Sequence, residues 1–331
     1  MRVSRRSLLA GVASAPATLA FPGLVPAAWS SEADTAEDGA AAATTQVPGI
    51  QRFSVGDIKV TAVLDGFFDF QFDWVIGMDE VEAQRLLADA FLPADRLRAA
   101  VNAYVIHSGD RTILVDSGTR DAFGPTLGRL LQNLAAAGVD PASIDTVLVT
   151  HMHPDHINGI VTAEGVAAFP NAELVVQEAE WAYWTAEETL SNAPDDFKLF
   201  VQLAQAAVKP YEGRVRLIAT DMEVAPGVSA MALPGHTPGH TGYLVESGGD
   251  ALLVWGDTVH LPMFHFAHPD WTVIFDGDPR AAAATRSRTF DMAAAERLKV
   301  AGMHLQFPGL GHVIRDGAAY GFVPAGWEYE L

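Results

Sequence analysis

Short apolar runs alternate with longer amphipathic runs from about residue 50 to the end of the chain. Runs rich in Val, Ile and Leu that are bounded by Gly, Asp or Ser predict β-strands. The predicted strands are Ile58–Leu64, Ala103–Ile106, Thr112–Val115, Ile144–Thr150, Glu173–Val176, Val215–Ala219, Val228–Leu233, Gly242–Val245 and Ala251–Trp255. The predicted helices are Glu80–Ala90, Pro125–Ala137, Glu178–Thr189, Asp195–Ala207 and Pro279–Ala301.

The order of these elements predicts an α/β (α+β) fold class. Strands and helices are mixed, without the strict strand–helix–strand rhythm of a purely parallel sheet. We therefore expect two sheets with helices packed outside them. Because no linker interrupts the pattern after Pro48, residues 47–331 are expected to form one domain.

Charge and cysteine content limit the function. The chain has 21 Lys and Arg against 41 Asp and Glu, a formal net charge of -20. An acidic surface repels phosphate backbones and anionic lipid, so nucleic acid and a membrane surface are not expected partners. The chain has no cysteine, so any bound metal must use histidine and carboxylate ligands.

The first 46 residues have a different composition. Arg5 and Arg6 are followed by Leu8-Leu9 and a mild apolar stretch rich in Ala and Gly, which is typical of a twin-arginine export signal over residues 1–28. Residues 29–46 are dominated by Ser, Glu, Ala, Asp and Thr and are expected to be a flexible leader. The mature protein is therefore expected in the periplasm or secreted, with no membrane span.

The strongest chemical signal is the segment of residues 151–156, which reads HMHPDH. It follows a predicted buried strand, and His151 and His153 are two residues apart, so both side chains point to one side of an extended chain. Asp155 and His156 come next, where the chain turns. Bringing several imidazoles together is unfavourable unless a cation holds them, so this segment predicts a metal site.

Three later residues are also potential metal ligands. His236 and Asp257 each follow a predicted strand, and His312 ends a Gly-rich turn over residues 307–312. Glycine lets the backbone approach closely at each place. Ligands at the ends of strands fit a rigid catalytic site.

The ligand pattern HxHxDH, then His, Asp and His, resembles the metallo-β-lactamase superfamily over roughly residues 48–326. The resemblance is closest to the methyl parathion hydrolase branch, through residues 123–130, 150–156, 235–241, 307–312 and 322–324. It implies an αββα sandwich with the site at one edge. Homodimers are known in this branch, so a homodimer is expected by analogy only.

The resemblance also implies roles for individual residues. One metal ion would be held by His151, His153 and His236, and a second by Asp155, His156 and His312, with Asp257 bridging the two. Asp116 would lie behind the ligands, although a turn-forming Asp would fit the sequence equally well. The other histidines are taken as surface or packed residues, with His240 the best candidate to support a ligand and His260 and His265 weaker candidates to line the pocket.

Two divalent ions can hold a hydroxide between them and lower the pKa of water toward about 7. Asp155 and Asp257 would orient this hydroxide as well as bind metal. Nitrogen and oxygen ligands suit Zn²⁺ first, with Mn²⁺, Co²⁺ and Fe²⁺ as alternatives.

Aromatic residues bear on the substrate. Phe68, Phe70, Phe72 and Trp74 alternate with polar residues and would share one face of an extended segment, either in the core or in the pocket. Trp184 is the best single pocket residue in a second aromatic cluster. An aromatic pocket would favour a small, neutral, apolar ester.

The resemblance leaves two activities open. The first is hydrolysis of organophosphate triesters, as in methyl parathion hydrolase, and the alternative is hydrolysis of acyl-homoserine lactones or related esters. A β-lactamase fits the ligands but not the branch segments, and the acidic charge disfavours a nuclease. A flavin-dependent di-iron oxidoreductase is disfavoured because position 153 is His rather than Glu, and a binding module that has lost its metals would lack ligands.

Overall fold

The computed structural model describes residues 46–329. The predicted export signal, and the predicted leader except for Gln46, lie outside the described residues. Residues from Val47 onward form one compact unit. Within the described residues, no helix combines the length and the apolar character needed to cross a membrane.

The first sheet has seven strands in the order β1-β2-β4-β5-β6-β7-β8. Its strands are β1 Ile50–Val55, β2 Ile58–Phe70, β4 Leu97–Ser108, β5 Arg111–Val115, β6 Thr146–Leu148, β7 Glu173–Gln177 and β8 Val215–Ile218. The pairs from β1 to β5 are antiparallel, and those from β5 to β8 are parallel. The loops after β5 and β6 therefore leave the sheet at the same edge.

The second sheet also has seven strands, in the order β16-β15-β14-β12-β11-β10-β9. They are β9 Met222–Ala225, β10 Val228–Ala232, β11 Thr241–Ser247, β12 Asp250–Val254, β14 Lys299–Ala301, β15 Leu310–Asp316 and β16 Ala319–Pro324. Only β12 and β14 pair in parallel among these neighbours. Two short strands, β3 Val75–Ile76 and β13 Thr272–Val273, pair separately.

Eight α-helices surround the sheets in the described part of the chain. They are α1 Glu80–Asp89, α2 Leu130–Ala136, α3 Pro154–Ile157, α4 Glu178–Thr185, α5 Glu187–Asn192, α6 Asp195–Val208, α7 Pro262–His265 and α8 Pro279–Glu296. Buried side chains of both sheets, such as Tyr104 and Tyr243, form a core between them. A second core joins the first sheet to α2, α4 and α6, and a third joins the second sheet to α8. The predicted two-sheet α/β class is confirmed.

Alternation along β5 shows how the sequence builds these layers. Ile113 and Val115 are buried between the two sheets, whereas Leu114 faces the helices on the outer side. Successive side chains of a strand point to opposite faces, so a strand covered on both faces is apolar throughout. This explains why the predicted strands appear as continuous apolar runs.

Several predicted boundaries were wrong. The predicted helix Pro279–Ala301 ends at Glu296, because Arg297 adopts a left-handed conformation (φ 56°) and Lys299–Ala301 then pairs with β12. The predicted helix Glu178–Thr189 is divided at Ala186, whose backbone is extended. Short or amphipathic strands such as β1, β9, β15 and β16 were not predicted.

Candidate metal centre

The HMHPDH segment leaves the first sheet directly after β6. His153 has an extended backbone (φ -63°, ψ 146°), and Pro154 begins α3 because proline suits the first helical position. His151, His153 and His156 are buried, whereas the side chain of Asp155 is 19% exposed. An extended step followed by one helical turn directs the four side chains into one cluster.

Three further side chains reach the same cluster from the second sheet. His236 follows β10, Asp257 follows β12 and His304 follows β14. Gly256, just before Asp257, has φ +54°, and a Cβ atom there would lie 2.4 Å from Nε2 of His240. Only glycine fits this combination of backbone conformation and close approach.

The first group of possible ligands contains His151, His153, His236 and Asp257. Nδ1 of His153 lies 3.0 Å from Nε2 of His151 and 2.9 Å from Nε2 of His236. Oδ2 of Asp257 lies 3.6 Å from Nε2 of His151 and 3.3 Å from Nε2 of His236. Three nitrogens and one carboxylate oxygen thus converge, a donor set that suits Zn²⁺.

The second group contains Asp155, His156 and His304. Oδ2 of Asp155 lies 3.4 Å from Nε2 of His156 and 3.4 Å from Nε2 of His304. Asp257 also reaches this group, with Oδ1 3.2 Å from Nε2 of His156 and Oδ2 3.2 Å from Nε2 of His304. Asp257 therefore contacts both groups, which is the position expected of a bridging carboxylate.

His312 is the one predicted ligand that the structure does not bring to the cluster. It lies on β15 in register with Lys299, the first residue of β14, whereas the cluster lies beyond the other end of β14. Two residues of strand correspond to about 6.6 Å, which separates His312 from the edge where β15 begins. His304, which the sequence analysis treated as a surface or packed residue, takes the place assigned to His312.

His260 is a further member that the sequence analysis considered only as a weak pocket candidate. Its Nε2 lies 3.0 Å from Oδ2 of Asp257, and it forms a third possible ligand group with Asp257 and His304. Its position three residues after Asp257 was the only available signal. Sequence spacing alone could not distinguish it from a packed histidine.

Hydrogen bonds on the far side of three histidines fix which nitrogen faces the cluster. Nδ1 of His156 lies 2.7 Å from Oδ2 of Asp116, and Nδ1 of His236 lies 2.7 Å from Oδ1 of Asp276. Nδ1 of His304 lies 2.7 Å from the carbonyl oxygen of Ala100. A proton held on Nδ1 leaves the Nε2 lone pair free for a cation.

Asp116 and His240 both lie behind the clustered side chains. Asp116 also accepts hydrogen bonds from the backbone N–H (2.8 Å) and hydroxyl (2.7 Å) of Thr150, the residue before His151. Nε2 of His240 accepts a hydrogen bond from the backbone N–H of Asp257 (2.8 Å). Asp276, which was not predicted, has the same relation to His236 that Asp116 has to His156.

The chemistry of the cluster fits divalent metal ions. Nε2 of His156 and Oδ1 of Asp257 are buried and have no hydrogen-bond partner among the described residues. Buried polar atoms rarely remain without a partner. A cation bound between the imidazole nitrogen and the carboxylate oxygen would be the partner of both. His151, His153, Asp155, His156, His236, Asp257 and His304 are the residues that would hold it.

The charges of the cluster strongly shift its pKa values. Burial lowers the pKa of His151 and His153 well below the ordinary histidine value, and their imidazole neighbours lower it further. Burial would also lower the pKa of His156, but the carboxylates of Asp257, Asp155 and Asp116 outweigh it and raise that pKa well above its ordinary value. Neutral imidazoles of His151 and His153 thus lie beside carboxylates that attract positive charge around His156.

A cavity of about 390 Å³ opens over the cluster. Ligand-type residues form its floor, and its walls are largely aromatic: Phe68, Phe70, Trp74, Phe123, Phe200 and Phe275. Asp69 and Thr126 complete the lining. The residues that line this cavity include no Lys and no Arg. Of the four alternating aromatic residues, Phe68, Phe70 and Trp74 line this cavity.

Trp184 has a different position. It is completely buried, with its ring 5.2 Å from that of His153, and its Nε1–H donates to Glu180 (2.7 Å). It lines a neighbouring cavity of about 350 Å³ together with Tyr183 and Phe197, and not the cavity over the cluster. It therefore supports His153 from behind.

A model of the metallo-beta-lactamase superfamily matches residues 97–304. This span is more than half of the 331 residues, and it runs from the first residue of β4 to His304. The chain belongs to this superfamily.

Several curated proteins are similar over part of the chain. "Beta-lactamase-like protein 2 homolog" of Drosophila melanogaster is 28% identical over 180 residues, which are 53% of this chain and 54% of that protein. "N-acyl homoserine lactonase" of a Bacillus species is 29% identical over 182 residues, which are 49% of this chain and 65% of the lactonase. The chain therefore spans less than two thirds of the length of both relatives.

Two solved structures match over nearly the whole described chain. The hydrolase AbOPH of the beta-lactamase superfamily is 31% identical, with a TM-score of 0.81 over 86% of this chain and 100% of that one. AidC, described as a dizinc quorum-quenching lactonase in complex with a product, is 24% identical, with the same TM-score and coverage. AbOPH supports membership of the metallo-beta-lactamase superfamily, and AidC shows the shared fold.

Proposed function

We propose that this metallo-beta-lactamase-superfamily protein is a lactonase that uses two divalent metal ions, Zn²⁺ first among them. N-acyl homoserine lactones are the first candidate substrates. The observation that carries the proposal is the aromatic cavity without Lys or Arg directly over the His/Asp cluster. Such a cavity suits a neutral ester with an apolar substituent. The similarity to N-acyl homoserine lactonases supports the lactone in particular.

When bound, two metal ions would lower the pKa of water and polarise the ester carbonyl. Asp155 and Asp257 both line the cavity, so their carboxylates face the attacking water and orient it. Phe200 and Phe275 stack in the wall (ring centroids 6.1 Å apart, interplanar angle 14°) and bind the apolar part of the substrate.

His260 faces the same space as a neutral imidazole, because burial lowers its pKa to about 4. A neutral imidazole can donate an N–H to a substrate oxygen. In lactone hydrolysis, a bond forms between the water oxygen and the carbonyl carbon, and the ring C–O bond breaks. The ring oxygen takes a proton and becomes a hydroxyl group, and the other product group is a carboxylate, so one proton is released per turnover.

Proton release measures this activity directly. Zinc-loaded protein should acidify a weakly buffered solution of N-acyl homoserine lactones, and an indicator dye follows the rate. His151→Ala and chelator-treated protein are the controls, and both should lose the activity. If no lactone of any acyl length is opened by metal-loaded protein, the proposal is wrong.

A neutral phosphotriester is the second candidate, because the lining of the cavity has no Lys or Arg side chain to bind an ionised phosphate. An aryl phosphotriester that releases a coloured phenol should be measured on the same preparation. A kcat/KM for this substrate far above that for every lactone would make triester hydrolysis the main activity.

We also propose that the protein is exported through a twin-arginine signal, because Arg5-Arg6 precede Leu8-Leu9 and an apolar stretch. The full chain and an Arg5→Lys/Arg6→Lys variant should be compared by fractionation of expressing bacterial cells. The unchanged chain should reach the periplasm or the medium, and the variant should stay in the cytoplasm. Identical distribution of both would contradict export by this route.

A further inference from the structure

A buried carboxylate lies between the two loops that carry His153 and His236. Glu180, on α4, is 1% exposed. Its Oε1 accepts hydrogen bonds from the backbone N–H of Met152 (2.8 Å) and from Nε1–H of Trp184 (2.7 Å). Its Oε2 accepts from the hydroxyl of Thr237 (2.6 Å) and from the backbone N–H of Gly239 (3.0 Å).

The two carboxylate oxygens of Glu180 accept hydrogen bonds from different loops, and each loop carries a residue of the metal cluster. Met152 lies between the ligands His151 and His153, and Thr237 directly follows His236. Nδ1 of His153 and Nε2 of His236 lie 2.9 Å apart, although the two residues are 83 positions apart in the chain. The carboxylate thus spans the junction between one loop from each sheet.

Gly239 packs directly against the start of α4 at Glu180. A Cβ atom at Gly239 would lie 2.3 Å from the backbone nitrogen of Glu180 and 2.6 Å from its Cβ atom. The side chain of Gln177 accepts hydrogen bonds from the backbone N–H groups of Ala179 and Glu180, which fixes the start of α4. Four donors fill the acceptor positions of the carboxylate, so its orientation is determined on both sides.

We propose that Glu180 is a positioning residue that sets the distance between His153 and His236 and thereby the affinity of the first metal position. It touches neither substrate nor reacting atoms. This inference rests on the metal centre of the proposed function and not on the identity of the ester.

The key variant is Glu180→Gln, which keeps the size of the side chain. A glutamine has one oxygen and one NH₂ group, so it can accept hydrogen bonds from only one of the two loops. Its NH₂ group would then face the backbone N–H group of the other loop, and two donors cannot form a hydrogen bond. The loops should then separate slightly. We expect zinc affinity, measured by competition with a chromophoric chelator, to fall about 10- to 100-fold, as it does when partners behind metal ligands are lost.

Two matched controls separate positioning from general stability. Asp65 is another buried carboxylate with four donors, from Thr119 (two), Gly128 and Leu130, none of which is in a ligand loop. Asp65→Asn should lower the thermal midpoint of the metal-free protein but keep zinc affinity within about twofold. Glu178→Gln, at an exposed position on the same helix, should change neither quantity.

The visible spectrum of the Co²⁺-loaded protein gives a second measure, because it reports the geometry of the ligands without any substrate. The Glu180→Gln spectrum should differ from the unchanged protein, and that of Asp65→Asn should not. The proposal is overturned if Glu180→Gln keeps its zinc affinity within twofold, or if Asp65→Asn loses as much affinity. If Glu180→Gln does not fold, Thr237→Val removes one of the four donors, and unchanged zinc affinity in that variant also overturns the proposal.

The role of Glu180 and the proposed lactonase activity can be lost independently of each other. Normal zinc affinity in Glu180→Gln with intact lactone hydrolysis would remove only the role of Glu180. Normal zinc binding in the unchanged protein with no turnover of any ester would remove only the proposed activity.

Discussion

At the candidate metal centre, the orientation and tautomer of a histidine ring depend on the group that accepts a hydrogen bond from its Nδ1. Asp276 illustrates this, because its Oδ1 holds Nδ1 of His236 and its Oδ2 accepts from the backbone N–H of Val273 (3.0 Å). Burial raises the pKa of Asp276, but the hydrogen bond and the charge of His236 outweigh burial and lower it to about 2. The carboxylate therefore stays ionised and keeps the proton of His236 on Nδ1.

Asp276→Asn should weaken this support. An amide carries no charge and makes Nε2 of His236 a poorer ligand, so we expect a loss of zinc affinity of about 10- to 100-fold. Titration against a chromophoric chelator measures the loss. Asp278→Asn is the control, because Asp278 is exposed and only caps α8, where Asn is an equally good cap. Equal affinity in both variants would show that Asp276 has no such role.

His304 and His312 give the sharpest comparison at this scale. His304→Ala should lower the zinc content of the purified protein from two ions toward one, because Asp155 and His156 lose their third partner. The loss of activity should exceed the about 10- to 100-fold effect that is typical of supporting residues. His312→Ala should retain both ions. Elemental analysis of both variants decides, and the reverse pattern would restore His312 as the ligand.

The sequence predicted six of the seven residues that would hold the metal ions, because each follows a strong apolar strand or belongs to a dense motif. His304 gave no such signal. It follows β14, a strand of three residues, Lys299–Ala301, which the sequence pattern merges with the preceding helix. His312 stands in a Gly-rich segment that looked like a ligand turn. Register, which places His312 opposite Lys299, is a property of the folded sheet and cannot be read from spacing.

At the scale of elements, α8 supports the loop that carries Asp257 and His260. Arg286 of α8 is 1% exposed, and it donates to the carbonyl oxygens of Thr258, Pro269 and Trp271, each at 2.7 Å. Burial lowers its pKa to about 10, so it is still charged at neutral pH. A guanidinium group can serve three carbonyls in fixed directions because its donors form a planar fork.

Arg286→Lys should therefore be destabilising although it keeps the charge. A lysine cannot reach all three carbonyls, and each buried carbonyl left without a partner costs about 1–3 kcal/mol. We expect the free energy of unfolding, measured in urea, to fall by at least about that amount. Arg288→Lys is the matched control on an exposed position of the same helix, and it should stay within about 0.5 kcal/mol of the unchanged protein. A similar small effect for Arg286→Lys would refute this account of α8.

Elements differ in how well local pattern defined them. The inner strands β5, β6 and β7 of the first sheet are covered on both faces, appear as apolar runs and were predicted close to their true positions. In the same sheet β1 was missed, and β2 and β4 extend beyond their predicted ends. β15 and β16 have exposed residues, and β16 is the edge strand of the second sheet, so their pattern is weak. The end of α8 was missed because Arg297, a residue that rarely adopts positive φ, ends the helix in place of glycine.

At the scale of the whole molecule, the residues that could hold metal ions come from both sheets. His151, His153, Asp155 and His156 follow a strand of the first sheet, whereas His236, Asp257 and His304 follow strands of the second. The apolar core between the sheets packs the strands together, whereas these loops lie beyond the strand ends. Metal ions bound here would connect the loops of one sheet to those of the other. The chain also has an excess of acidic residues, 41 against 21 basic ones, and divalent cations partly offset this repulsion.

Removal of the metal ions should therefore lower the stability of the whole domain and not only abolish activity. A ligand that binds only the folded state adds about 2.7 kcal/mol when its free concentration is about 100 times its Kd. Chelator-treated protein should melt at a lower temperature, and added Zn²⁺ should restore the midpoint in proportion to the logarithm of its concentration. A His151→Ala/His236→Ala variant has lost ligands from both sheets, so its midpoint should respond little to Zn²⁺. If Zn²⁺ raised the thermal midpoint of this variant as much as that of the unchanged protein, the stabilising ions would bind outside the His/Asp cluster. Metal bound in the cluster would then not connect the two sheets.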